Sequence, residues 1–212
     1  MNTYKNDMHP FYWCMSYLLL SFITQIVFSD AVLSMCIVNV IIYITVWSYR
    51  VRDNMRHKPT NFQACSIDMP VVTLCLVVLL LTSYAWSYWY TTYIDSNTLQ
   101  TYTSVFRQNP MLYIAASCIF APLGEESLFR YIIMNWVYDH TSNRFRYLSD
   151  LLCILISSVI FAVMHGTDAH LLSGLFFGFA VGLIYQSTHN LRLCFFVHVF
   201  YNIGSLCISF PQ

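Results

Sequence analysis

The chain has 212 residues, 58% hydrophobic and 9% charged, with ten basic and ten acidic side chains that cancel to zero net charge. A soluble globular domain carries roughly 25% charged residues. That excludes a water-soluble module, and the zero balance gives no basic surface for nucleic acid. Mean hydropathy of +0.56 and 17% aromatics point instead to an all-α, polytopic membrane bundle embedded in a lipid bilayer.

A membrane span needs about 20 apolar residues, within a range of about 17–25. Seven segments qualify: 11–28, 31–49, 71–90, 111–137, 151–165, 169–186 and 192–209. The first two nearly merge at Ser29-Asp30, which predicts a tight helical hairpin. Arg50, Arg52, Arg56 and Lys58 fall in a predicted loop over 50–70, and Arg144 and Arg146 in another over 138–150. Alternating spans put both loops on one side, together with Lys5 and Arg192, and leave Arg107 on the other. Basic residues collect on the cytoplasmic side, so the N-terminus is expected inside. Tyr84, Trp86, Tyr88, Trp89, Tyr90 and Tyr93 gather where the third span should leave the far side, as an interfacial aromatic belt does.

No cleavable signal peptide is expected, because the first apolar run is long enough to span and no A-x-A-like site follows a short one. Eight scattered cysteines without a C-x-x-C read as small buried hydrophobes. Gly174, Gly178 and Gly182, spaced four apart in the sixth span, predict a groove for close helix packing. Two halves are distinguished: 1–106 carries no recognisable motif, and 107–209 carries all the candidate chemistry within one membrane domain.

That chemistry starts at Glu125 and Glu126, inside a stretch that otherwise spans. A carboxylate in hydrocarbon costs roughly 2.5–3.5 kcal/mol on insertion scales, so a pair requires a reason. Arg130 lies at i+4 from Glu126, where the two can form an ion pair on one helix face. Glu125 then points about 100° away and is free to take a proton as a general base. Pro122 and Gly124 predict a broken span, with the glutamates near a helix N-terminus that favours negative charge. His165 closes the fifth span. His198 and Asn202, at i and i+4, present imidazole and amide on one face of the seventh, suited to a developing oxyanion or to an interhelical clamp. Taken together, Glu125 and His165 can hold and deprotonate a water while His198 and Asn202 receive negative charge. Glu125, His165 and His198 could alternatively hold Zn²⁺ with an open position. No H-E-x-x-H is present, so no zinc or other cofactor is expected. A serine elbow of the G-x-S-x-G form is also absent.

Depth sets a condition on this constellation. At 1.5 Å per residue, Glu125 and His165 each lie about 21 Å from the start of their predicted spans, on opposite sides. In a core about 30 Å thick they would miss each other by roughly 12 Å. Either the fifth span starts before 151 or the break at Pro122 shifts the glutamates.

E-E-x-x-x-R at 125–130, F-x-x-x-H at 161–165 and H-x-x-x-N at 198–202 resemble, in order and spacing, the three motifs of the CAAX-protease and bacteriocin-processing family of intramembrane proteases. The likeness covers about 107–209. It implies an all-helical membrane endopeptidase in which Glu125 and His165 activate water and His198 and Asn202 form the oxyanion site. It also implies a glutamate-dependent mechanism that uses no metal. Tyr131 departs from the small residue that many relatives carry after the arginine. The length is more like that of short bacterial members linked to bacteriocin immunity. From that likeness come the expected substrate, a peptide or membrane protein such as a bacteriocin or its receptor, and the expected location, a bacterial cell membrane. A non-proteolytic immunity or scaffold protein of the same fold and CAAX-type processing of prenylated proteins are the alternatives. A proton-coupled transporter lacks the internal repeats it would need.

Overall fold

A computed structural model describes residues 10–28, 30–56, 69–93, 96–141, 146–166 and 169–209. Among the described residues there are eight helices and no strands: α1 Pro10–Val27, α2 Ala31–Arg56, α3 Met69–Tyr93, α4 Ser96–Gln108, α5 Pro110–Thr141, α6 Arg146–Met164, α7 Ala169–Thr188 and α8 Leu191–Ser209. By length and composition, stretches of α2, α5, α6 and α7 can each cross a membrane, and shorter apolar helices cover Phe11–Val27 and Leu191–Cys207. Rows of large apolar side chains exposed on α1 and α8, such as Phe22, Ile26, Phe196 and Phe200, fit a lipid-facing surface. The chain is an integral membrane protein.

Short connections are fixed by side-chain caps. Asp30 Oδ1 accepts from the N–H groups of Val32 and Leu33 at 2.9 and 3.1 Å, opening α2 directly after α1. Asn190 Oδ1 does the same for Arg192 and Leu193 at 3.1 and 3.2 Å, opening α8. Asn109 caps Leu112 N–H at 3.2 Å with Pro110 in the first helical position, where a missing N–H is harmless.

Several predicted boundaries move. α4 occupies a segment expected to be a connection; its Leu99, Tyr102, Val105 and Phe106 recur at helical spacing, but it is too short and polar to be found by a search for spans. Residues 50–56 continue α2 and are not loop, and the 138–150 loop shrinks because α5 runs to Thr141 and α6 starts at Arg146. Ser29, Lys5, Lys58, Arg144 and the rest of these loops lie outside the described residues.

The core has two layers around α5. α2 lies along α5 and α1 backs α2, while α7 packs between α3 and α6, and α8 touches both α7 and α5. Val38, Ile42 and Val46 of α2 join Leu128, Phe129, Ile132 and Ile133 of α5 in one buried apolar cluster. Gly174, Gly178 and Gly182 face α6: a Cβ at Gly174 would lie 3.3 Å from Ala162 Cα, and one at Gly178 3.1 Å from Ser158 Cα. Side chains there would push the two backbones apart.

Candidate active site

α5 is one continuous helix through Pro122 and Gly124, so the expected break and the helix N-terminus at the glutamates do not form. Two stretches wind as π-helix instead, Ala116–Phe120 and Ser127–Met134, on either side of the glutamates. A proline ring clashes with the carbonyl four residues earlier in a regular α-helix, and a wider π-turn removes that clash. Pro122 is thus accommodated without ending the helix, and Glu125 and Glu126 sit mid-helix.

From there the two carboxylates part. Glu126 is 1% exposed and accepts from Arg130 Nε at Oε2, 3.0 Å. Its other oxygen, Oε1, meets His198 Nδ1 at 2.8 Å, a contact the sequence reading missed in taking Glu126 only as the partner of Arg130. Arg130, fully buried, also donates from Nη1 to Ser157 Oγ at 3.0 Å, and that hydroxyl donates to Phe129 O at 3.0 Å. Ser157 was missed too, although it stands four residues before Phe161 and eight before His165 and so shares their face of α6.

Glu125 faces the imidazoles. Its Oε2 lies 3.5 Å from His165 Nε2 and 3.7 Å from His198 Nε2. His165 Nδ1 is held by Phe161 O at 2.7 Å, and only the protonated nitrogen can make that bond to a carbonyl. His165 Nε2 is therefore the nitrogen turned toward the carboxylate. The Phe161 ring stacks on His165 with centroids 4.0 Å apart, and Phe177 packs on His198 at 4.5 Å. Side chains from α5, α8 and the end of α6 thus converge on one oxygen of Glu125. The depth conflict disappears when both residues are measured from the same end of the α5–α6 pair: from Thr141 and Arg146, Glu125 and His165 lie about 24 and 28 Å deep at the helical rise.

Asn202 is placed differently from the other three. Its Nδ2 donates to Ser117 O at 2.7 Å. In the π-turn the Ala121 N–H bonds Ala116 O, one residue beyond the α-helical partner. The next donor in that register, for Ser117 O, would be residue 122, and proline has none. Asn202 satisfies the carbonyl that Pro122 orphans.

Gly124 has a reason of its own. A Cβ there would overlap the Asn39 side chain of α2 and reach 2.9 Å from Asn39 Cα. Its hydrogen lets α2 approach α5 beside Glu125, a close packing that the sequence reading took for a helix break. Among the described residues, no group of three or more His, Cys, Asp or Glu side chains is arranged to hold a metal ion.

Fold and site together define a helical membrane protein with a buried carboxylate set against two imidazoles. Residues 107–204 match the family model described as type II CAAX prenyl endopeptidase Rce1-like. Over 108 residues the chain is 32% identical to a Bacillus subtilis (strain 168) protein named "Putative membrane peptidase YdiL", a match covering 51% of this chain and 41% of that one. The chain therefore spans about two fifths of that relative's length. No solved structure matches. Residues 107–204 are thus similar to that endopeptidase family.

Proposed function

We propose that the protein is a membrane-embedded endopeptidase in which Glu125 and His165 activate a water for attack on a peptide carbonyl. The observation that carries this reading is the convergence on Glu125 of two Nε2 atoms whose Nδ1 partners are already committed. At 3.5 and 3.7 Å these gaps exceed a direct hydrogen bond, and a polar separation of this size suits a bridging water. Glu125 takes a proton from that water as its oxygen bonds the carbonyl carbon. The same proton then goes to the leaving nitrogen as the C–N bond breaks. His198, protonated on both nitrogens, donates from Nδ1 to Glu126 and from Nε2 to the oxyanion. Asn202 contributes its second amide hydrogen. The charges balance, with Glu126 and Arg130 paired and His198 opposite Glu125.

The family's name directs the substrate class toward peptides carrying a prenylated cysteine. The similarity to a bacterial protein supports the reading of a bacterial cell-membrane enzyme acting on a bacteriocin-type peptide or a membrane protein. An N-terminus on the cytoplasmic side follows from the basic residues near α2 and α6. A non-proteolytic immunity or scaffold protein is the second reading, favoured by one observation, the use of the Asn202 amide as a structural clamp.

Purified protein incubated with an internally quenched, farnesylated CAAX peptide is expected to cleave it, and Glu125→Gln is expected to lose cleavage while staying monodisperse. Full cleavage by Glu125→Gln would remove the base from the mechanism. Turnover is also expected to survive a strong chelator. Loss in chelator with recovery on adding Zn²⁺ would replace the metal-free mechanism with one in which Glu125, His165 and His198 are ligands.

A further inference from the structure

The N-terminal half, which carries no motif, holds a cleft between α1 and α2 that five polar side chains help to line. Tyr17, Ser21, Thr24 and Gln25 of α1 face Ser34 of α2 across a cavity of about 180 Å³. The hydroxyls donate to backbone within the hairpin: Ser21 to Tyr17 O at 2.8 Å, Thr24 to Leu20 O at 2.9 Å, Ser34 to Thr24 O at 3.1 Å. A hydroxyl has one hydrogen and two lone pairs, so each keeps acceptor capacity. Polar side chains in a membrane segment face protein or water rather than lipid. A water occupies about 30 Å³ of liquid, so the cleft has room for several.

Val38, which lines the cleft, also joins the buried cluster of the glutamate helix. Asn39 lies one helical turn beyond Met35, a cleft-lining residue, and is fully buried. Its Nδ2 donates to Met35 O at 2.9 Å, while its Oδ1 is buried with no hydrogen-bond partner among the described residues. A buried carboxamide oxygen left without a donor costs about 1–3 kcal/mol, so an occupant that donates to it is called for. Asn39 packs against Gly124, the residue preceding Glu125, and Tyr17 lies beside Asn39 within electrostatic reach of Glu125.

We propose that the α1–α2 cleft is a water-filled path that ends on Tyr17 and Asn39, where the Asn39 Oδ1 holds a water in transit to Glu125. Hydrolysis consumes one water per turnover at a carboxylate only 12% exposed, and the cleft supplies it. The use of that water rests on the proposed peptidase function; the hydration of the cleft does not.

The test introduces cysteine at Ser21 and Thr24, inside the cleft, and at Leu19 and Phe22, on the lipid-facing side of α1. Each variant, in membranes, is treated with a small cationic methanethiosulfonate, and incorporation above that of the parent chain is read by mass. Thiols react as thiolates, which form in water and not in lipid, so positions 21 and 24 should label at least about ten times faster than 19 and 22. Equal rates at all four positions would overturn the path. In the peptide assay, labelled Ser21→Cys and the Asn39→Leu variant should both lose several-fold in kcat with KM held. A raised KM with kcat held would overturn the water path and make the cleft a seat for the peptide. Unchanged kcat per folded molecule would overturn the supply role. Labelling at 21 and 24 in a parent that cleaves nothing would strike the peptidase reading and leave the hydrated cleft standing.

Discussion

Pro122 deletes one backbone N–H, and the consequence reaches the last helix. Ser117 O, left without a donor by the proline and the π-turn, is satisfied by Asn202 Nδ2 at 2.7 Å. An unsatisfied buried carbonyl costs about 1–3 kcal/mol, so Asn202→Leu is expected to lower stability by that amount. In a Pro122→Ala background the restored N–H can take over, and the same substitution should cost measurably less. A double-mutant cycle on thermal unfolding reads the difference as a coupling energy. Additive costs would mean that the amide and the proline are unrelated. Glu125, Glu126, Arg130, His165 and His198 were legible as letters, since an ionisable group in an apolar run calls attention to itself. The Ser117 carbonyl was not, because a backbone acceptor leaves no letter. The role of Glu126 was half legible: i, i+4 spacing gives Arg130, but only the approach of α8 brings His198 to its second oxygen.

The lengths of the apolar runs made seven of the eight elements readable, most of their ends to within a few residues, and glycine spacing identified the face by which α7 meets α6. Two errors at this scale have physical causes. Pro122 and Gly124 looked like a break because local rules forbid proline mid-helix; a π-turn relieves the ring, and Gly124 serves the approach of α2. The start of α6 was placed late because Arg146, Ser149 and Asp150 are polar, yet Ser149 and Asp150 are buried and Asp150 Oδ1 accepts from Gln186 Nε2 of α7 at 2.6 Å. A polar pair across two helices disguised the first turn. The glycine face gives a prediction of its own. Gly178→Val places its first carbon 3.1 Å from the Ser158 backbone, and overpacking of this kind costs about 1–3 kcal/mol. Gly166, where an added Cβ would meet nothing within 4 Å, has no neighbour to displace, only an unfavourable φ of 124°. Thermal unfolding of the two valine variants should show separated α6–α7 packing in Gly178→Val alone, as a midpoint that falls together with labelling of buried Cys153. Equal protection of Cys153 in both would mean that the helices tolerate the added bulk.

Across the whole molecule, the division into a featureless N-terminal half and a motif-bearing C-terminal half does not separate in space, since α2 buries Asn39 and Val38 against the helix that carries the glutamates. Packing partners follow from volume and register rather than from motifs, so nothing in residues 1–106 taken alone announces them. Helix length then bears on orientation. The 26 residues of α2 rise about 39 Å against a hydrocarbon core of about 30 Å, and the apolar window closes at Ser48. The last two turns, with Arg50, Arg52 and Arg56, therefore extend past the core as helix. The bias that orients short basic loops would put that end of α2 on the cytoplasmic side. Cysteine placed at Arg56 is expected to stay unlabelled when intact cells meet a membrane-impermeant maleimide, and to label fully once the membrane is opened. Cysteine at Arg107, near the C-terminal end of α4 and across the bilayer in this topology, should give the reverse and label from outside. Labelling of position 56 from outside would invert the bundle, and with it the side from which the α1–α2 turn and the cleft beside it are reached.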